Sequence, residues 1–333
     1  MTNPAPSTDK IKTGLMICGH GSRDDGAVEQ FNLLAGHLKK RFPDYDVESG
    51  FLEFATPIIR TGLDKLKDRG AKRILCMPSM LFAAGHVKND LPSEINNFAA
   101  VNPDLDVRFG RDLAIDRRLL DAARARIEAA EKESNQQISR SDTLLMVVGR
   151  GTNDPDANSN VHKVARMLWE GMGFGWAEVS YSGVAYPLVD EGLNKALKLG
   201  YKRIIVFPYF LFTGILVRRI YSWADDAAEA NPDVEILNAL YLRDHENVLD
   251  VFADRVQEML SGDNNMNCGL CKYREQIIGY EQDVGVPQVG HHHHVMGVGT
   301  DGHGADDHGV HGHHHGHSHG HHHHGPSDDM DKG

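Results

Sequence analysis

An internal duplication constrains this chain more than any other feature of its sequence. Matched landmarks recur at one constant offset along the chain. The pairs are Gly19-His20-Gly21-Ser22 with Gly149-Arg150-Gly151-Thr152, Pro57 with Pro187, Gly70 with Gly200, Lys72-Arg73-Ile74 with Lys202-Arg203-Ile204, and Pro78 with Pro208. Asn102-Pro103 and Asn231-Pro232 are one residue closer together than this offset, which implies a single-residue deletion in the second copy. Because a fixed period marks a repeated structural unit, both copies are expected to share one fold.

Within each copy, short apolar runs alternate with amphipathic stretches. The predicted strands lie near 15–18, 47–53, 73–78, 105–109, 143–149, 177–184, 203–208 and 234–240. The predicted helices lie near 25–41, 57–69, 90–100, 116–132, 156–171, 187–199, 216–230 and 244–260. Such alternation is typical of parallel sheets that helices cover on both faces. The sequence therefore predicts an α/β fold with two tandem flavodoxin-like, parallel-sheet domains and a disordered C-terminal tail.

The duplication and the changes in composition also predict the domain boundaries. These are a flexible N-terminus at 1–12, a first repeat at 13–133, a polar linker at 134–142, a second repeat at 143–262, a Cys-x-x-Cys segment at 263–290 and a histidine-rich tail at 291–333.

Charge and cysteine usage narrow the class of protein. Of the net charge of −12, the residues from Asp263 onward carry −7 (3 Lys/Arg against 10 Asp/Glu), and the rest carries −5 (32 against 37). Neither part shows a basic stripe, which argues against a nucleic-acid partner. No stretch reaches the ~18 apolar residues of a membrane span. The four cysteines do not form a secreted disulfide framework. We expect a soluble, cytoplasmic protein.

The two copies differ where ligands of α/β sheets bind, at the carboxyl ends of the strands. His20, Glu53 and His86 of the first copy are replaced by Arg150, Gly183 and Leu216 in the second, while the shaping glycines and prolines remain. This joint loss favours a functional trio over three scaffold residues. Two imidazoles and one carboxylate can hold a divalent first-row metal with open coordination positions, and they can accept protons. Their spacing does not distinguish a metal hydrolase from an enzyme that hands its metal on.

Three segments resemble the sirohydrochlorin chelatases, in particular their long two-repeat form. They are the Gly-His-Gly-Ser turn, Leu52-Glu53-Phe54-Ala55-Thr56-Pro57, and Gly70-Ala71-Lys72-Arg73-Ile74 followed by an Ala84-Gly85-His86 loop. The resemblance covers roughly residues 14–260 and implies insertion of Co²⁺ into sirohydrochlorin for cobalamin synthesis. Close relatives insert Fe²⁺ or Ni²⁺.

The resemblance also assigns roles to residues. His20 and His86 match metal ligands, with His20 as proton acceptor, and Glu53 matches a metal-side carboxylate. The matches to the tetrapyrrole pocket are Thr56, Leu81, Phe82, Ala83, Ala84 and Gly85, and the pocket segment ends at His86. The second repeat is expected to be catalytically silent. The candidates for binding the substrate carboxylates are Arg23, Lys88, Arg150, Arg218 and Arg219, although a solvated surface role suffices for each.

Beyond the repeats, Cys268 and Cys271 form a lone Cys-x-x-Cys without an evident packing role. The resemblance allows a [4Fe-4S] cluster, which two chains of a homodimer would most simply share; a free dithiol is the alternative.

Residues 291–325 hold 16 of the 21 histidines and almost no apolar residues. They are expected to be disordered without metal. A purification tag is the alternative, but Asp, Val and Met interleave these histidines, so we expect a native segment that collects metal.

Several functions remain open at the level of sequence. The leading one is a cobaltochelatase whose partners are sirohydrochlorin and a divalent metal, with channelling of its product to the next enzyme of the cobalamin pathway. The alternatives are an Fe²⁺ or Ni²⁺ chelatase, a non-catalytic metal chaperone or storage protein, and a cofactor-free hydrolase on a flavodoxin-like fold.

Overall fold

The computed structural model describes residues 11–287, 290 and 297–299. The first repeat contains β1 (Thr13–Gly19), α1 (Asp25–Arg41), β2 (Asp46–Phe51), α2 (Ile59–Asp68), β3 (Arg73–Pro78), α3 (Leu91–Ala100), β4 (Asp106–Phe109) and α4 (Arg117–Glu133). The second contains β5 (Thr143–Gly149), α5 (Pro155–Met172), β6 (Trp176–Tyr181), α6 (Val189–Leu197), β7 (Arg203–Pro208), α7 (Ile215–Ala230), β8 (Glu235–Asn238) and α8 (Glu246–Ser261).

Each repeat forms a parallel four-stranded sheet. The strand orders are β2-β1-β3-β4 and β6-β5-β7-β8, and the registers match, with Gly19 beside Phe51 and Gly149 beside Tyr181. All seven residues of β1 and of β5 are buried, as expected for central strands that helices cover on both faces. The predicted α/β fold with two tandem parallel-sheet domains is therefore confirmed.

The two repeats exchange their last helices. Helix α4 of the first repeat packs on α5, β7 and β8 of the second, and α8 of the second packs on α1 and β3 of the first. One hydrophobic core consequently runs through both repeats, and it includes Leu15 and Ile17 of β1 as well as Leu145 and Val147 of β5. The opposite face of each sheet has a core of its own. Both sheets belong to one compact unit.

The one-residue difference between the copies lies in a π-helical turn. Val87 and Val217 keep the constant offset of the other landmarks, and each is 1% exposed. Leu91 and Ile220 are both fully buried but are one residue closer together than that offset. The extra residue of the first copy therefore falls between Val87 and Leu91, inside the π-helical turn His86–Asp90. The second copy runs through the same place as regular α-helix. Single π turns within helices are frequent at functional sites.

The segment between the repeats is fastened to the second sheet. The buried guanidinium of Arg203 donates to the carbonyl oxygens of Gln136 and Ile138 and pairs with Glu235.

None of the helices in the described part of the chain combines the length and the apolar content that a membrane span requires. Apart from Gly297–Gly299, the predicted histidine-rich tail lies outside the described residues.

Candidate metal centre

The turn after β1 brings His20 against the residue that follows β2. Leu52 N–H donates to the Gly19 carbonyl at 2.8 Å, and Glu53 N–H donates to the His20 carbonyl at 3.0 Å. Gly21 has φ +97°, and a Cβ there would overlap the Glu53 carbonyl oxygen. Only glycine permits this approach. The strand predicted at 47–53 ends earlier, at Phe51.

His86 begins the π-helical turn, and Asp90 lies behind it. His86 Nδ1 lies 2.7 Å from Asp90 Oδ2, and the Asn89 side-chain amide donates to Asp90 Oδ1 at 3.0 Å. Asp90 is 4% exposed. Because an ionised carboxylate only accepts, the pair fixes the proton of the neutral imidazole on Nδ1 and leaves the Nε2 lone pair directed at the site.

The structure brings His20, Glu53 and His86 together at one point. His20 Nε2 lies 3.0 Å from His86 Nε2 and 3.3 Å from Glu53 Oε1, and one ligand atom from each residue lies within 4.8 Å of the others. His20 directly follows β1 and Glu53 lies two residues beyond β2, whereas His86 lies beyond the loop that follows β3, at the start of the π-helical turn. Two nitrogens and one oxygen at these separations can move onto one first-row divalent ion while leaving coordination positions for a second ligand.

His20 is held as a neutral imidazole. Its Nδ1 lies 2.9 Å from the Gly21 carbonyl oxygen, an acceptor, so the ring proton sits on Nδ1 and the Nε2 lone pair faces the site. Burial, the charge of Arg150 and His86 together lower the pKa of His20 to about 3. A neutral ring is the form that binds a metal.

The second repeat contributes a cation to this centre. Arg150, the counterpart of His20, donates from Nη2 to His20 Nε2 at 3.2 Å. Arg150 is exposed as a residue, and the charge of Glu53 acts on its guanidinium. In the described residues, no other group of three His, Cys, Asp or Glu side chains gathers its ligand atoms as the trio does.

Two of the five basic candidates hold the repeats together. Lys88 Nζ pairs with Asp154 at 2.8 Å and Asp156 at 3.1 Å, and Arg218 pairs with Asp24. Asp24 and Asp154 are the N-cap residues of α1 and α5, so the two ion pairs are related by the duplication. These pairs commit Lys88 and Arg218 to the contact between repeats, where sequence reasoning made them candidates for binding substrate.

The remaining basic candidates lie elsewhere. The Arg23 guanidinium lies 5.0 Å from the ring centre of Phe54, and that of Arg219 lies 5.9 Å from the ring centre of Trp223. Arg150 is the candidate that contacts the trio.

The predicted pocket segment Leu81–Gly85 is the loop between β3 and His86. Phe82 stacks on Tyr209 of the second repeat, with ring centres 5.7 Å apart. Ala83 N–H donates to the buried Asp112 carboxylate at 3.0 Å. Burial raises the pKa of Asp112 to about 6, against the opposing effects of that hydrogen bond and of nearby arginines. The loop is thus anchored on both sides immediately before His86.

Thr56, another predicted pocket residue, contacts the C-terminal segment. Its N–H donates to the Val298 carbonyl at 3.2 Å, and its hydroxyl donates to the Gly299 carbonyl at 2.8 Å. A Cβ at Gly297 would overlap the Phe54 carbonyl oxygen. The Thr56 hydroxyl, three residues after Glu53 in the sequence, is therefore engaged by the chain itself.

The Cys-x-x-Cys segment packs more closely than expected. Cys268 is exposed, but Cys271 is only 7% exposed, so the expectation that neither thiol has a packing role is wrong for Cys271. The segment folds back on itself, because Arg274 and Glu275 N–H both donate to the Cys271 carbonyl. It also reaches the first repeat, where the Tyr273 hydroxyl lies 3.5 Å from the place a Cβ on Gly85 would take.

Asp90 is the member of the site that sequence reasoning missed. The signal was the one-residue difference between copies, which falls within the turn that carries Asp90. In the second copy Arg218, Arg219 and Ile220 follow Val217, and no acidic residue stands at the corresponding place.

Comparison with known proteins extends over both repeats. The CbiX family model matches residues 14–130 and 144–259. A sirohydrochlorin cobaltochelatase of Priestia megaterium is 35% identical over 269 residues, which cover 79% of this chain and 85% of that protein. A sirohydrochlorin ferrochelatase of the same organism is 30% identical over 258 residues, which cover 77% and 94%.

Solved structures of similar proteins share the two-repeat architecture. The sirohydrochlorin chelatase SirB from Bacillus subtilis subspecies spizizenii, in complex with cobalt, is 26% identical with a TM-score of 0.63, and the match covers 75% of this chain and 96% of that one. SirB from Bacillus subtilis with Fe³⁺ is also 26% identical, with a TM-score of 0.67 and coverage of 77% and 100%. With the family model matched over both repeats, this chain belongs to the CbiX family.

Proposed function

We propose that this protein inserts Co²⁺ into sirohydrochlorin and releases two protons. The observation that carries the proposal is the convergence of His20, Glu53 and His86 on one point beside the second repeat. The sirohydrochlorin cobaltochelatase that is 35% identical over most of this chain supports both the substrate and the metal.

The donor set suits an ion that must be given away. Closed sites of four protein ligands retain their metal, whereas three exchangeable donors leave positions at which the pyrrole nitrogens can attack. The metal is a substrate in this reaction, so the protein must hold it without trapping it. Two imidazoles and one carboxylate meet that requirement.

The reaction also needs a base for the two pyrrole N–H protons. Of the two imidazoles, His86 has the buried carboxylate of Asp90 2.7 Å from the ring nitrogen that faces away from the site. His20 instead has the guanidinium of Arg150 at 3.2 Å, which disfavours a positively charged ring. We therefore assign the proton acceptor to His86, in place of the His20 that the family resemblance implies.

Cobalt is proposed ahead of iron and nickel on the strength of the relatives, because imidazole and carboxylate donors accept all three ions. The test is an anaerobic titration of metal-free sirohydrochlorin with the full-length protein and each ion in turn, followed by visible absorption. We expect the tetrapyrrole spectrum to shift fastest with Co²⁺. A spectrum that the protein leaves unchanged with every ion would refute the function, and a faster reaction with Fe²⁺ or Ni²⁺ would refute the metal.

Cys268 and Cys271 do not by themselves fit an iron–sulfur cluster. Among the described residues they join no third His, Cys, Asp or Glu ligand, whereas a [4Fe-4S] cluster takes four thiolates. We propose a dithiol within one chain. A cluster would require a second chain to contribute two more thiolates, and anaerobically purified protein that contains iron and absorbs near 400 nm only as a dimer would establish that alternative.

A further inference from the structure

The metal-facing nitrogen of His20 already has a cationic partner. Arg150 Nη2 donates to His20 Nε2 at 3.2 Å, and the same nitrogen faces His86 Nε2 and Glu53 Oε1 at 3.0 and 3.3 Å. The charge of Glu53 also acts on the Arg150 guanidinium. Arg150 is therefore held at the trio by the same groups that would bind a metal.

The hydrogen bonds on the far side of each ring explain why a cation belongs here. His20 Nδ1 faces the Gly21 carbonyl and His86 Nδ1 faces Asp90, so both Nε2 atoms present lone pairs. Two lone pairs 3.0 Å apart repel each other unless a positive charge lies beside them. The charge that the chain itself supplies is Arg150.

A metal ion and Arg150 cannot use His20 at the same time. A coordinated ion sits about 2.0–2.1 Å from an imidazole nitrogen and takes its only lone pair. The guanidinium stays charged in proteins, so it cannot adapt by losing a proton. It must move away, and its fork of donors is suited to a carboxylate.

We propose that Arg150 is a displaceable cation that competes with the metal for His20 and, once displaced, binds a carboxylate of the tetrapyrrole. The second half of this proposal rests on the proposed function, since sirohydrochlorin carries many carboxylates. Substrate binding then removes the competing charge and strengthens metal binding at the trio. After transfer, the return of Arg150 to His20 prevents the empty ligands from recapturing the metal. The second repeat thus contributes a binding residue to the site of the first.

The competition can be measured on the full-length protein with Co²⁺ alone. Free Co²⁺ is fixed with a metal buffer so that binding to the tail does not alter it, and the trio is read separately as protection of His86 from diethyl pyrocarbonate, mapped by peptide mass spectrometry. Arg150→Ala should lower the half-protecting Co²⁺ concentration about tenfold or more, since a full charge a few ångströms away is removed. Arg150→Lys, which keeps the charge, should stay near wild type.

Arg166→Ala is the matched control. Arg166 lies on α5 of the same repeat, is exposed and pairs with Glu170, so the variant removes the same charge away from the site. In this variant Co²⁺ should protect His86 at the same concentration as in the wild-type protein. An unchanged or weakened Co²⁺ affinity in Arg150→Ala would overturn the competition.

The carboxylate contact is tested by equilibrium binding of metal-free sirohydrochlorin, followed by its fluorescence. Arg150→Ala should weaken binding about tenfold, the usual scale of a lost charge-assisted hydrogen bond. Unchanged binding would overturn this half. A wild-type protein that neither binds nor metallates sirohydrochlorin would instead refute the proposed function, while the Co²⁺ measurement would still decide the competition.

Discussion

Asp90 determines what His86 can do at the metal centre. Its carboxylate is 4% exposed and contacts the ring nitrogen that faces away from the metal. It therefore has two separable effects: it orients the ring, and it places a negative charge 2.7 Å from the ring. The first matters for metal binding, and the second matters for the proton-acceptor role that we propose for His86.

Substitutions at Asp90 can separate these effects. In Asp90→Asn the amide oxygen still accepts the Nδ1 proton, so Co²⁺ protection of His86 should stay within about threefold of wild type, while kcat falls about tenfold or more because the charge is gone. Asp90→Ala should lose both, with metal affinity reduced about 10–100-fold. Equal losses of kcat and of metal affinity in Asp90→Asn would contradict the assigned base.

Comparing the two copies in the sequence identifies site residues where the copies carry different residue types. It misses site residues where one copy is longer than the other. His20, Glu53 and His86 stand out because Arg150, Gly183 and Leu216 replace them at a constant spacing. Asp90 has no aligned counterpart, because the extra residue lies in its own turn. Which side chain faces another across that turn depends on the π geometry, and nothing in the local sequence specifies a π turn.

The contact between the repeats includes two ion pairs that are related by the duplication but have unlike surroundings. Lys88 is 5% exposed at its side chain and faces the fully buried Asp154 as well as Asp156. Burial lowers the pKa of Lys88, but the hydrogen bonds and charges of the two aspartates outweigh it and raise the pKa. Arg218, at the equivalent position, is 59% exposed.

Removing the buried lysine should therefore cost far more than removing the exposed arginine. Lys88→Met leaves two aspartates without their cation and should lower the free energy of unfolding by on the order of 3 kcal/mol, measured by urea denaturation. Adding Asp154→Asn, which can still cap α5, should recover part of that loss. Arg218→Met is the matched control and should have a much smaller effect, because solvent screens the pair. Equal losses in both single variants would contradict this account.

Strands and helices could be predicted from the apolar pattern, but the sheet on which each helix packs could not. All sixteen predicted elements exist, and most bounds agree within two residues. The exchange of α4 and α8 between the sheets was not predicted, because the amphipathic pattern of a helix shows that one face is buried without showing which sheet covers it.

In the molecule as a whole, the histidine-rich C-terminal sequence is the largest segment to which the proposed metal insertion assigns no role. Residues 291–325 hold 16 histidines, and Gly299 of the same segment contacts Thr56, three residues after Glu53 in the sequence. A chain that bears many imidazoles raises the concentration of metal near the site to which it is tethered. We propose that this sequence supplies metal to the trio.

Deleting residues 290–333 tests this role. Turnover at saturating Co²⁺ should stay near that of the full-length protein, whereas turnover at limiting Co²⁺ should fall. The advantage of the full-length protein should shrink as pH drops through the histidine pKa of ~6.5, because protonated imidazoles release metal. A shorter deletion that retains residues 1–299 keeps His291–His294 and the Thr56 contact. Its turnover at limiting Co²⁺ should lie between those of the full-length protein and of the longer deletion. Loss of activity at saturating Co²⁺ would refute the supply role.

In the proposed function only the first of the two duplicated repeats performs the chemistry, and the duplication supplies a matched position in the second repeat for comparison. The rate of Co²⁺ insertion into sirohydrochlorin is compared for His86→Ala and for Leu216→Ala, the same position in the other repeat, with circular dichroism to verify folding. We expect His86→Ala to lower the rate to the uncatalysed level and Leu216→Ala to keep a rate of the same order as wild type. A folded His86→Ala protein that inserts cobalt at the wild-type rate would contradict this expectation.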